Sequence, residues 1–231
     1  GKKVITVSEF SKERIHKILN KSDKEIYLVN SAVDEKFRRK EYDETTLEKI
    51  RKKYSLPARY ILTLSTIEPR KNMKLLIEVF LRIPEFKKFN LVLAGRKGWL
   101  IDDLFAKIDS PNINNIYVTG FVDDDDLPYL YNMADVFVFP SIYEGFGLPP
   151  LEALACGCHV ISSNAASLPE VLGDAAIFFN NNDSESLKKK LFEWVNIAEK
   201  EKVAIKKRAM ERVDKYTWKN SELMLEKVIG R

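Results

Sequence analysis

The sequence holds little of what declares a chemistry at sight. Its two cysteines, Cys156 and Cys158, flank a single glycine in a chain of 231 residues. They are too few and too close for a disulfide framework or a four-ligand zinc site. They read instead as small core residues, and a reducing, cytoplasmic setting follows as the default. The two histidines, His16 and His159, stand far apart with no triad signature, and His159 adjoins an apolar strand where a structural role is expected. Glycine occurs nine times without a G-x-G-x-x-G dinucleotide fingerprint; Gly95 and Gly98 only bracket Arg96-Lys97. The net charge is +4 with both signs mixed along the chain, so no nucleic-acid footprint is present. No apolar run approaches the roughly 20 residues that span a bilayer. Nothing at the start of the chain reads as a signal peptide.

What is there describes a soluble globular chain with a real core: 45% hydrophobic and 31% charged residues. The length suits one ordinary domain with attachments, or two small ones. Val4–Val7 and Ile26–Asn30 read as strands around a helix that Ser8 or Ser11 caps and that runs to about Asn20. Phe10, Ile15, Ile18 and Leu19 give that helix an apolar side, and Lys12, Arg14, Lys17 and Lys21 a basic one. The basic face reads first as a solvated one, with a membrane-surface face as the alternative. From Tyr60 strands and helices alternate. Strands are predicted at Tyr60–Ser65, Asn90–Ala94, Ile116–Thr119, Asp135–Phe139, His159–Ser162 and Ala176–Phe179. Helices are predicted at Asn72–Arg82, Leu100–Ile108, Asp124–Met133, Leu148–Ala155 and Leu168–Leu172. Short runs rich in Val, Ile, Leu and Phe, joined by helices, imply an α/β fold with a doubly wound parallel sheet covered on both faces. Ligands in such sheets sit beyond the C-terminal strand ends, at the switch point. After Asn180 the chain becomes helical and polar, with Asp183 or Ser184 and then Thr217 placed to cap.

One stretch organises the rest: the apolar Asp135–Pro140, then Ser141-Ile142-Tyr143-Glu144-Gly145-Phe146-Gly147-Leu148, then Pro149–Gly157. That order is a buried strand, a glycine-bearing turn and a helix. Such a turn can bring backbone N–H groups close to a ligand, and a helix start adds unpaired donors and partial positive charge, which suits phosphate. Glu144 stands on the turn and Glu152 about two helical turns further on. Carboxylates on both sides of an anion-friendly backbone fit a nucleotide sugar, whose hydroxyls donate while its phosphates accept. Arg70 and Lys71, at the end of the first strand of the alternating region, can neutralise a diphosphate, or can be solvated loop charges. The run Asp123–Asp126 precedes a helix, where capping and solvation are expected over a metal site.

Glu144 and Glu152 in this setting resemble the E-x7-E motif of retaining glycosyltransferases of the GT-B fold, family 4 type. Ile67–Asn72, Ala94–Trp99, Gly120-Phe121-Val122 and Ser167–Val171 match that family in the same order. The resemblance covers nearly the whole chain but only the later, donor-binding half of a complete enzyme of this type. It implies a Rossmann-like C-terminal GT-B domain over residues 35–215, a remnant of the N-terminal domain and hinge over 1–34, and a helix over 216–231 that returns toward that domain. It further implies transfer of a sugar from a nucleoside diphosphate to an acceptor hydroxyl, with the anomeric configuration kept. Glu144 would then contact the transferred sugar, Lys71 and Arg70 the diphosphate, and Glu152 the ribose. The backbone of Gly145, Phe146, Gly147 and Leu148 would meet phosphate or sugar oxygens, and Phe121 and Val122 the nucleobase. No metal and no other cofactor is expected. Many relatives carry a further arginine where Leu64-Ser65-Thr66 stands, so the division of phosphate contacts differs here.

The E-P-R-K-N and G-x-K-G-W elements look most like mannosyl- and related transferases that build surface polysaccharide. GDP-mannose is the first expectation for the donor, with a UDP-sugar next. The expected partners are that donor, a carbohydrate or lipid-linked acceptor and the missing N-terminal domain, without which turnover would be slow or absent. A cytoplasmic place, with peripheral association at the inner face of the membrane, fits such a role. Two other readings stay open: a non-catalytic sugar-nucleotide-binding module, and a sugar-nucleotide epimerase of the same fold.

Overall fold

The computed structural model describes residues 3–20, 25–96, 98, 108 and 113–230. The predicted helix Leu100–Ile108, apart from Ile108, and the expected packing of Trp99 lie outside the described residues. A small parallel pair opens the chain: β1 (Val4–Thr6) and β2 (Ile26–Leu28), joined by α1 (Glu9–Leu19). Ser8 accepts the Ser11 amide and so caps α1. Helix α2 (Glu44–Tyr54) follows, capped by Asp43 through the Thr46 amide.

Six strands then form one parallel sheet. They are β3 (Tyr60–Leu64), β4 (Asn90–Ala94), β5 (Ile116–Gly120), β6 (Val136–Phe139), β7 (Val160–Ser163) and β8 (Ile177–Phe179). Their spatial order is β5-β4-β3-β6-β7-β8. The chain therefore builds outward from β3 on one side, returns, and builds outward on the other. The switch point lies between β3 and β6. This is the doubly wound Rossmann-like arrangement expected from the alternating pattern.

Residues along each strand divide between two cores with the period of two that a pleated strand imposes. Tyr60, Leu62, Val92, Ala94, Phe137 and Phe139 enter one core. Ile61, Leu91, Leu93, Val136 and Val138 enter the other. The helices that close the second face are α3 (Met73–Arg82), through Leu76, Ile77 and Phe80, and α7 (Ser184–Val195), through Leu187, Leu191 and Trp194. The first face is closed by α2, α4 (Leu127–Met133), α5 (Leu148–Ala155), α6 (Leu168–Leu172) and α8 (Glu199–Val213). Cys156 and Cys158 are buried there, and burial pushes both thiols up, Cys156 to about 12.

Element boundaries agree with expectation to within a residue or two, except at α4. That helix begins at Leu127 and not at Asp124, with Pro128 in its first turn. Asp126 does not cap it through its side chain. Instead Lys53 donates to Asp126 at 2.5 Å and to Asp123 at 2.7 Å, and Tyr54 donates to Asp126 at 2.7 Å. The acidic run ties α2 to α4, a partnership of residues some 70 positions apart that local capping rules cannot anticipate. The last helix, α9 (Trp218–Ile229), is capped by Thr217 and lies on the opening unit. Ser221 donates to the Asn30 carbonyl at 2.7 Å, and Lys3 donates to the Val228 carbonyl.

Candidate functional site: a carboxylate-cation cluster at the switch point

The loops after β3 and β6 meet beyond the strands' C-terminal ends. After β3 a short 3-10 turn, Pro69–Lys71, ends on Asn72 in the left-handed region at φ 52°. After β6 the chain reaches Ser141 and the glycine turn. The two loops are joined through the backbone, where the Ile142 amide donates to the Arg70 carbonyl at 3.0 Å.

Glu144 is 9% exposed, yet it is not stranded. Lys71 Nζ donates to its Oε1 at 2.6 Å, and Ser141 Oγ donates to the same oxygen at 2.6 Å. The Arg70 guanidinium lies 3.3 Å from it. Arg70 also donates to the Tyr143 carbonyl at 2.9 Å and to Glu68 at 2.7 Å. Glu68 is itself buried. Two cations and two carboxylates thus form a neutral cluster, as burial demands of charges that must be paired and hydrogen-bonded. Lys71 Nζ additionally sits 5.3 Å from the Phe139 ring centroid.

The turn itself is anchored by serines from two elements. Ser167 Oγ, fully buried, donates to the carbonyls of Glu144 at 2.9 Å and Phe146 at 3.0 Å. Ser8 and Ser11 of the opening unit both donate to the Gly145 carbonyl, at 2.7 and 3.1 Å. In a trans peptide the N–H points away from its own C=O. The N–H groups of Gly145 and Gly147 therefore point away from Ser167, and that of Phe146 away from Ser8 and Ser11. Gly147 is required where it stands. Its φ is 106°, and a Cβ there would lie 2.6 Å from Leu168 Cδ2. Helix α5 starts at Leu148, and Pro149 and Pro150 remove two of its first donors, so the N–H groups of Gly147 and Leu148 carry what remains of that helix start.

Glu152, on α5, is placed differently. Its Oε2 accepts from the buried Tyr131 hydroxyl at 3.1 Å. Burial pushes the carboxyl up to about 7, against smaller lowering effects of Tyr131 and Lys36.

A cavity of about 350 Å³ lies at the same pole, lined in part by Ser65, Thr66, Arg96, Phe121, Val122 and Asp124. Phe121 is 52% exposed, with the Arg96 guanidinium 4.3 Å from its ring centroid, while Val122 is buried in the wall. The Ser65 hydroxyl is buried without a protein partner among the described residues. Gly95 permits this crossing of β3 and β4: its φ is 136°, and a Cβ would fall 1.9 Å from the Ser65 carbonyl oxygen.

The structure therefore brings Arg70, Lys71, Glu144 and the Gly145–Leu148 turn together at the switch point, with Phe121 and Val122 at a neighbouring cavity of the same pole. Sequence reasoning missed Glu68, Ser141, Ser167 and the anchoring role of Ser8 and Ser11. Ser8 and Ser11 were legible only as helix caps, and Ser167 only as part of a motif. Among the described residues, no group of three or more His, Cys, Asp or Glu side chains gathers as a metal-ligand set.

Against protein families, residues 47–212 match the family described as glycosyl transferases group 1. The chain belongs to that family. This group 1 chain is 33% identical, over 94% of its length, to the serotype-specific mannosyltransferase WbdA of Escherichia coli, of which it covers 27%. It is 34% identical, over 95% of its length, to the O-antigen chain mannosyltransferase B of Escherichia coli, of which it covers 58%. The chain thus spans less than two thirds of these curated relatives. The crystal structure of Anabaena Alr3699/HepE in complex with UDP and glucose superposes on all of the chain with a TM-score of 0.84 at 18% identity, the chain covering 63% of it. A glycosyltransferase from Rickettsia africae superposes on 99% of the chain with a TM-score of 0.79 at 23% identity, the chain covering 62% of it. These likenesses establish the Rossmann-like fold of the C-terminal GT-B domain.

Proposed function

We propose that this chain is the donor-binding half of a retaining glycosyltransferase that moves a sugar, mannose first, from a nucleoside diphosphate to an acceptor hydroxyl. The observation that carries the reading is the buried Glu144 held by Lys71, Arg70 and Ser141 at the switch point of the sheet. The relatives' mannosyltransferase names support the choice of sugar, and GDP-mannose stays the first choice of donor. The UDP and glucose held by a protein of the same fold keep a UDP-sugar as the second choice.

In this reading the diphosphate sits over the Gly145–Leu148 N–H groups. The unliganded cluster is neutral, so arriving phosphates compete with Glu144 for Lys71 and Arg70. As the glycosyl bond breaks, charge grows on the leaving phosphate, and these two cations are already in place to meet it. Glu144, released from part of its pairing, can accept from hydroxyls of the sugar. Glu152 takes the ribose hydroxyls, and the cavity at Phe121 and Val122 takes the base. No metal enters the scheme.

Residues 1–34 and 216–231 belong, in this proposal, with an acceptor-binding domain that closes the cleft and excludes water. Ile18, Leu19, Trp218 and Ile229 are all more than half exposed on α1 and α9 and would pack against it. The acceptor would be a carbohydrate or a lipid-linked glycan, met at the cytoplasmic face of a membrane.

Calorimetric titration with GDP, UDP and their mannose and glucose conjugates tests the proposal. One diphosphate should bind. Lys71→Ala should weaken it by about 10- to 100-fold, the worth of one hydrogen bond to a charged group, and Glu152→Ala should weaken the nucleotide but not inorganic pyrophosphate. Binding that neither substitution alters would overturn the assignment of the site.

A further inference from the structure

Ser167-Leu168-Pro169-Glu170 has the spacing of a capping box, in which serine and glutamate satisfy amides at the start of their own helix. The structure sends both side chains elsewhere. Ser167 makes no cap bond to α6 and holds the carbonyls of Glu144 and Phe146 instead. Glu170 reaches the opening unit. Its Oε1 accepts from the Glu9 amide at 2.7 Å and its Oε2 from the Phe10 amide at 3.1 Å. Glu9 and Phe10 are the first two residues of α1, whose N–H groups have no partner inside their helix. A carboxylate there also meets the positive end of the helix dipole. One local rule is thus broken at two positions, for partners 21 to 23 and 160 to 161 positions away. Such departures gather where a fold serves a function.

The bonds close a triangle. Helix α6 holds the turn through Ser167 and holds α1 through Glu170, and one helical turn separates these two residues. Helix α1 and its cap in turn hold the Gly145 carbonyl through Ser11 and Ser8. The Phe10 ring meets the Tyr143 ring edge-on, with centroids 5.6 Å apart. Helix α6 is fixed independently of the Glu170 side chain. Arg212 on α8 donates to the main-chain carbonyls of Glu170 and of Val171, the latter at 2.8 Å. Removing the carboxylate therefore releases α1 and leaves α6 in place.

We propose that Glu170 is a positioning residue of the donor site. It holds the start of α1 so that Ser8 and Ser11 fix the Gly145 carbonyl, and with it the Phe146 N–H of the same peptide. The inference rests on the reading of the glycine turn as the seat of the diphosphate. It goes further in making the geometry of that turn depend on the opening unit. A displacement of that unit, with the domain it belongs to, would reach the donor through two serine hydroxyls. The Glu170 carboxylate is engaged by α1, so its effect on the donor is indirect.

Calorimetry and nuclear magnetic resonance of the whole chain test this together. In Glu170→Ala the amide resonances of Glu9, Phe10 and Phe146 should shift. Affinity for GDP or UDP, whichever the parent binds, should fall about fivefold. Inorganic pyrophosphate should lose the same factor, because the turn would meet the phosphates and not the base. Glu170→Gln, which keeps the size and one acceptor oxygen, should lie between the parent and the alanine variant. The decisive arm is a cycle with the double variant Ser8→Ala/Ser11→Ala. In that background Glu170→Ala should change neither the affinity nor the Phe146 resonance further, whereas independent effects would add. An unshifted Phe146 amide, an unchanged affinity in Glu170→Ala, or additive effects in the cycle would each overturn the positioning role while leaving the assignment of the site standing. A parent that binds neither diphosphate would overturn that assignment, and the positioning role with it.

Discussion

Glu144 and Glu152 belong to one short motif and live under opposite electrostatics. Glu144 sits on a turn beyond the strand ends, where Lys71, Arg70 and Ser141 converge on one of its oxygens. Glu152 sits one element later, inside the first face of the sheet, where its hydrogen bond comes from Tyr131. The turn assembles charges before a ligand arrives. The helix withholds compensation and leaves a carboxyl that titrates near neutrality. The difference follows from position in the fold: loops at the switch point can draw cations from two chain segments, whereas a helix packed on a sheet offers its inner face mostly apolar neighbours.

The largest way to sharpen that contrast is Glu152→Gln. The carboxyl stands at about 7 in the folded chain against an ordinary value of 4.5. Between those two values the folded state holds a proton that the unfolded state has lost, so stability falls as pH rises through this window. The full difference is about 3 kcal/mol. Glutamine cannot ionise, so the variant should match the parent near pH 4 and exceed it by up to about 3 kcal/mol at pH 8. Urea denaturation across this range measures it. A parent curve without that slope would show that Glu152 is compensated as Glu144 is.

Much of the fold was legible because a parallel sheet buried on both faces leaves a plain mark. Val136-Phe137-Val138-Phe139 is uniformly apolar, and so is Leu91-Val92-Leu93-Ala94. The glycine turn was legible too, since Gly147 is needed for its positive φ. The partners of the site were not. Nothing local in the sequence says that Ser167 reaches the carbonyls of residues 144 and 146, or that Ser8 and Ser11 reach residue 145 across more than 130 positions. Serines are common, and their meaning here is supplied by tertiary geometry. The same limit hid the use of Asp123 and Asp126, whose partner Lys53 lies on another helix.

Ser167→Ala tests whether the anchored turn differs from the helix in being built for a ligand. The substitution removes the one hydroxyl proton that two buried carbonyls share and should cost about 1–2 kcal/mol of stability. Because it frees the turn that orients the N–H groups, the affinity for a nucleoside diphosphate should fall with it, by about fivefold or more. Denaturation and calorimetry on the same variant separate the two effects. A loss of stability with affinity untouched would make the turn a structural hinge only.

The smallest expected effect is at Phe121, and it is informative because the side chain holds so little of the fold. The ring is 52% exposed and the Arg96 guanidinium lies 4.3 Å from its centroid. Phe121→Ala should therefore change stability by less than about 0.5 kcal/mol, as exposed substitutions do. If the ring borders the nucleobase, its loss should lower affinity for the nucleoside diphosphate about fivefold, in line with base–aromatic stacking, and leave pyrophosphate binding unchanged. Equal losses for both ligands would mean that Arg96, freed from the ring, had served the phosphates, and the cavity beside Phe121 would lose its claim to the base.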